Sequence, residues 1–188
     1  MFTAERLRSK SRVDYLLYLW FIEDIIRAHN GDMERIEKDY LPRYQAEGDG
    51  QKKLYQWFAD LCEMMRSEGC LEQGHLQIVK NVEQELTELH QYLLNNPGRF
   101  PDYTALYNKC LPAIVELRSR NNKPEEPEMQ TMLGALYGVM LLILKGKEGS
   151  TATNQAVDTI GQTLHKLSDY YLKNQQEPLD NEYSNNRR

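Results

Sequence analysis

Cysteine is scarce in this sequence. The chain of 188 residues holds three, Cys62, Cys70 and Cys110. The count is odd, the spacings are wide, and no Cys-x-x-Cys pair occurs, so neither a zinc knuckle nor a thioredoxin-like site is supported. Reduced thiols in a cytoplasmic protein are the simplest reading. Positive charge is also short. Lys and Arg number 23 against 28 Asp and Glu, a net charge of -5. A duplex-binding domain needs a basic face, so no nucleic acid is expected as a partner. The basic residues Arg6, Arg8, Lys10 and Arg12 alternate at spacing two, which scatters them round a helix instead of lining one side.

Long hydrophobic runs are missing too. The longest candidate, Met132 to Leu144, has thirteen residues, well under the roughly 20 that cross a bilayer. The apolar run from Tyr15 to Ile22 follows basic residues, as in an export signal. Yet Asp14 interrupts the junction, and Glu23 and Asp24 stand where a cleavage site should be. No membrane association is expected. Catalytic signatures are lacking as well: there is no G-x-S-x-G elbow and no Walker or Rossmann glycine loop. A helical di-iron centre needs two Glu-x-x-His motifs. Glu72 to His75 is the one match, and Gly74 sits inside it. A site drawn from His75, Glu83 or His90 is weaker than the alternative, that these are solvated polar edges. No metal and no cofactor are expected, and the chain leans away from being an enzyme.

What is present is helical periodicity. Apolar residues recur at i, i+3, i+4 almost throughout, and no useful strand-like alternation occurs. The pattern predicts six or seven helices. The first runs from about Ala4 to His29, where Asn30-Gly31 supplies a left-handed stop. Asp32 caps a short second helix that ends before Pro42. A third covers Gln51 to Ser67, with Leu54, Trp57, Phe58, Leu61 and Met65 inward and Gly69 ending it. The fourth spans His75 to Asn95, with the stripe Ile78, Val79, Val82, Leu86, Leu89 and Leu93. The fifth opens near Asp102 and keeps one phase across Pro112, which predicts a single helix kinked there with the proline outward. The sixth covers Pro127 to Lys145. The seventh is capped by Ser150 and runs to about Asn174 along Val157, Ile160, Leu164, Leu167 and Tyr171. Residues 1–174 then form one all-α domain, and the polar stretch 175–188 reads as a disordered tail. The first and sixth helices are the most apolar all round, so both are expected at the centre of the bundle.

Two constellations stand out. Glu23 and Arg27 are four apart on the first helix, beside Trp20. The plain reading is an ion pair; the functional one is a polar pocket lined by Trp20, Glu23 and Arg27 that holds a small molecule. The second is Gly134-x-x-x-Gly138 inside the sixth helix, with Leu141 on the same side. Glycines there let another backbone approach, either a neighbouring helix of the bundle or a second subunit. Twelve tyrosines against four phenylalanines fit half-wet borders or a partner-binding face.

The stretch "YLLYLWFIEDIIRA", with Tyr15, Leu17, Tyr18, Trp20, Glu23, Asp24, Ile26 and Arg27, and the later "LYGVMLLILKGKEGS", with Leu136, Tyr137, Gly138, Leu141 and Leu142, carry a resemblance. The chain is similar to an uncharacterised group of short all-helical bacterial proteins, mainly of Bacteroidetes, grouped as a domain of unknown function. The resemblance implies an all-α cytoplasmic protein and carries over no catalytic residue. Together these observations lead us to expect a non-catalytic helical interaction or regulatory module whose partner is another protein or a second copy of itself.

Overall fold

The computed structural model describes residues 2–147, 149–177 and 179. The chain is all-α, and no strand occurs among the described residues. The helices are α1 (Phe2–Lys10), α2 (Arg12–Ala28), α3 (Met33–Asp39), α4 (Asp49–Ser67), α5 (Gln77–Asn95), α6 (Pro101–Arg120), α7 (Glu128–Leu144) and α8 (Thr151–Gln176), with a 3-10 turn at Leu41–Tyr44.

That is one more helix than expected, and the extra one arises at Ser11. The Arg12 N–H, which would continue the ladder to Arg8, instead donates to Ser168 Oγ of α8 at 2.6 Å. A side chain 156 positions away thus divides the predicted first helix in two. The other boundaries follow local chemistry. At the end of α2, Gly31 N–H donates to Ile26 C=O and Asn30 N–H to Arg27 C=O, both at 2.9 Å. This is the Schellman arrangement, and it needs left-handed backbone, which Asn30 and Gly31 adopt at φ 54° and 68°. The same pairing closes α4, α6 and α7, the last through Lys147 to Leu142 and Gly146 to Ile143. Asp32 caps α3 by accepting from Glu34 and Arg35 N–H. Ser150 caps α8 by accepting from Thr153 N–H. α6 continues through Pro112, which is exposed. α8 runs two residues past the expected Asn174; most of the predicted tail lies outside the described residues.

The chain divides into two compact units. The first holds residues 1–10 and 14–82, the second 11–13 and 83–188. In the first unit α2 is the centre, as expected: Leu16, Ile22 and Ile26 are fully buried and Leu17, Leu19 and Trp20 nearly so. Phe58, Cys62 and Met65 of α4 are also in the core. Tyr40, Tyr44, Trp57 and Phe58 form an edge-to-face set, with Tyr18 Oη 2.9 Å from Tyr44 Oη.

In the second unit α6, α7 and α8 pack on one another. The core takes Leu86, Leu89 and Leu93 from α5, Tyr103, Cys110 and Ile114 from α6, and all five predicted positions of α8. Ile78, assigned to the α5 stripe and belonging to the first unit, is 38% exposed instead.

The larger correction concerns α7. It is not central along its length. Met129, Thr131, Met132 and Leu133 are buried. From Gly134 to Leu144, eleven consecutive apolar residues, none is.

Candidate functional site

The sequence singled out Trp20, Glu23 and Arg27, and the structure brings them together. Glu23 projects from the middle of α2 and is 2% exposed. Its Oε1 accepts from Leu76 N–H at 2.8 Å. Its Oε2 lies 2.5 Å from His75 Nδ1, which donates, since a carboxylate only accepts. Leu76 C=O in turn accepts from Val79 and Lys80 N–H. The Glu23 carboxylate therefore occupies the N-terminus of α5, where the helix dipole favours negative charge. Trp20 stacks on His75 with ring centroids 4.9 Å apart and planes 17° from parallel.

Arg27 works on the same loop from one turn further on. Its guanidinium donates to the carbonyls of Cys70, at 3.3 Å, and Gly74. It pairs with Asp24 at 3.0 Å and reaches Glu23 at 3.9 Å. The expected i, i+4 pair is therefore the longer of its two acidic contacts. These polar groups are taken up in clamping the 70–76 loop and the start of α5 onto α2. His75 was read as a solvated polar edge; its ring is instead stacked on Trp20 and bonded to Glu23, one-third exposed. Nothing in the sequence linked Glu23 to His75, 52 positions away, because the Glu72 to His75 segment is loop and precedes the helix. Among the described residues no group of three or more His, Cys, Asp or Glu is placed to hold a metal ion.

Arg12, at the start of α2, has other partners. It bonds Glu85 at 2.8 Å and lies over the Tyr171 ring, 5.1 Å from its centroid. Tyr171 Oη donates to the same Glu85 oxygen at 2.6 Å.

The second candidate, Gly134 and Gly138 with Leu141, lies on α7. Both glycines are exposed, and a Cβ built on either meets nothing within 4 Å. The tight neighbour expected inside the bundle is not there among the described residues. The surrounding surface is apolar. Ile143 and Leu144 are 67% and 62% exposed. Val139, Leu142 and Ile143 form one wall of a cleft of about 410 Å³ whose other wall is Asn154, Val157 and Asp158 of α8. From Met129 to Leu144 there is no charged residue. Among the described residues no helix is long and apolar enough to cross a membrane.

All three cysteines are free and buried. Burial pushes each thiol above its ordinary range, the opposite of what a nucleophilic thiolate requires.

The chain belongs to the family described as Domain of unknown function (DUF4924), whose model matches residues 1–178. No curated protein and no solved structure matches it.

Proposed function

We propose that this family member is a non-catalytic, cytoplasmic helical interaction module of bacteria that self-associates through the exposed part of α7. The observation that carries the reading is the run from Gly134 to Leu144, apolar at every position and buried at none. Single exposed apolar side chains are ordinary, but a contiguous apolar surface on a soluble chain marks an interaction site.

A second copy of the same chain is the occupant we commit to. The α7 run itself carries no charge, while the protein as a whole carries -5, and Lys147 and Asp158 beside it are of opposite sign, so copies meet there with little mutual repulsion. The open stripe of Gly134 and Gly138 admits the backbone of another helix closely, and a two-fold axis would place each α7 against its own equivalent. Burying a side chain such as Ile or Leu fully contributes roughly 1.5–3 kcal/mol. The exposed two-thirds of Ile143 and Leu144 would then contribute about 1–2 kcal/mol each, and a symmetric pair buries four. Three free, buried thiols support a reducing compartment.

Sedimentation velocity from about 1 to 100 μM tests the reading, a range that brackets ordinary association strengths. The wild-type chain is expected to run as a dimer or larger, and Ile143→Lys with Leu144→Lys as a folded monomer. A wild-type chain that stays monomeric over the whole range would overturn the proposal.

A further inference from the structure

A second site lies in the second unit, where the side of α5 meets the first turn of α7. A cleft of about 470 Å³ there is lined by Thr87, His90, Gln91, Leu94, Asn95, Pro127, Glu128 and Met129. His90, read from sequence as a solvated edge, is 4% exposed at its floor. Its Nδ1 is 2.6 Å from Tyr103 Oη, itself fully buried. Its Nε2 is 3.6 Å from Glu128 Oε2.

Proton counting fixes the orientation of this network. Burial holds the Tyr103 phenol protonated and His90 neutral. One arrangement suits both groups: Tyr103 O–H donates to Nδ1, and Nε2–H, not a lone pair, faces the Glu128 carboxylate. Tyr107 O–H donates to the same Glu128 oxygen at 2.8 Å. Glu128 Oε1 forms a long ion pair with Arg118 at 3.9 Å, beyond hydrogen-bond length, and accepts no hydrogen bond among the described residues. One carboxylate oxygen is thus hydrogen-bonded within the protein, and the other keeps its lone pairs for a donor in the cleft.

The remaining lining completes a pattern of acceptors. Thr87 spends its hydroxyl proton on Glu83 C=O at 2.8 Å, which leaves lone pairs for the cleft. Gln91 and Asn95, both exposed, can turn their amide oxygens inward. Leu94, Pro127 and Met129 supply apolar wall, and no Lys or Arg lines the cleft. We propose that this cleft binds a small aliphatic ammonium compound, its N–H groups on Glu128 Oε1 and the neighbouring acceptors and its alkyl chain against Leu94 and Met129. Glu128, the charged residue of the lining, disfavours a carboxylate or phosphate ligand. The volume suits a small molecule and not a folded partner.

Titration of the whole chain with butylammonium chloride, followed by amide chemical shifts, tests this. Butanol and butyrate serve as the neutral and anionic counterparts. A ligand of five heavy atoms is expected to bind with a Kd on the order of 1–10 mM. Shifts should centre on Gln91, Asn95, Glu128 and Met129, with butanol and butyrate at least tenfold weaker. Glu128→Gln keeps the Tyr107 hydrogen bond and should weaken binding about tenfold. Should that variant fail to fold, the exposed position 91 decides: Gln91→Glu should tighten binding severalfold, and Gln91→Lys should weaken it. Butyrate binding as well as butylammonium, no shifts up to 100 mM, or indifference to the charge at position 91 would each overturn the assignment.

Discussion

Replacing Glu23 by alanine should destabilise the protein more than replacing any other acid of α2. Three contributions set the size. The Leu76 N–H, in a residue 1% exposed, loses its acceptor, and an unsatisfied buried amide costs about 1–3 kcal/mol. The charge-assisted bond from His75 disappears, worth about 1.5–3 kcal/mol in a buried setting and less here, because His75 is one-third exposed. The lost methylene packing adds roughly 1 kcal/mol. Relief of carboxylate desolvation offsets part of this. The net expectation is about 2–4 kcal/mol. Glu23→Gln retains an oxygen for Leu76 N–H and the same volume, so it should cost only about 1–2 kcal/mol, the charge-assisted share. Asp24→Ala is the control. The Asp24 side chain is 45% exposed and pairs with Arg27 at 3.0 Å, so its loss should stay within about 0.5 kcal/mol. Urea unfolding gives the three differences, and hydrogen exchange at Leu76, Val79 and Lys80 reports whether the start of α5 opens first. A Glu23→Ala variant within 0.5 kcal/mol of Asp24→Ala, with unchanged exchange at Leu76, would refute the clamp.

Two further perturbations follow from buried polar groups. Burial lowers the His90 pKa from its ordinary value of about 6.5, with Glu128 opposing. Below pH 6.5 the unfolded chain therefore takes up a proton that the native chain does not. Stability falls as pH drops from 6.5 toward the native value, and the contribution is complete above 6.5. Asp102, held at about 2 by Lys166 and Tyr170, titrates in a separate and more acid window, where stability is lost as pH falls from about 4 to 2. His90→Gln should flatten the stability profile between pH 6.5 and 5; an unchanged slope would count against a buried neutral imidazole. Ser168→Ala removes the acceptor that interrupts the helix at Ser11 and should cost about 1–2 kcal/mol in urea unfolding. Equal stability would mean that the Arg12 N–H returns to the helical ladder without loss.

Local rules carried the boundaries and failed wherever the partner was distant. Asn30-Gly31 and Gly69 were legible as stops because the left-handed backbone they adopt is written in the residues themselves. Asp32 and Ser150 were legible as caps for the same reason. The break at Ser11 was not, since the oxygen that captures the Arg12 N–H belongs to Ser168. Glu23 shows both sides. Its spacing from Arg27 was visible, and the wheel placed it beside Trp20. Its main partners, His75 and Leu76, belong to a loop and a helix start that no periodicity ties to α2. His90 was missed because one polar residue on an apolar stripe reads as an edge until Tyr103 and Glu128 close over it.

α7 raises a different difficulty. A helix that is apolar all round is expected inside, because exposing it costs hydration free energy in proportion to area. That inference fixes only that the surface leaves water. It does not say which molecule covers it. The first turn of α7 follows the rule within the chain: Met129, Met132 and Leu133 are buried. The remaining three turns are apolar too, and among the described residues they are covered only in part: Gly134, Gly138, Ile143 and Leu144 are exposed and the rest half-buried. The two glycines sharpen the point. Each costs about 1 kcal/mol against alanine within a helix, and among the described residues nothing approaches them closely enough to offset it. A close approach by a helix outside the chain would offset both costs at once, the uncovered apolar area and the missing β-carbons. The expectation that α7 is buried along its length holds for its first turn alone; the proposed contact with a second copy would bury the rest, and the sedimentation experiment decides it.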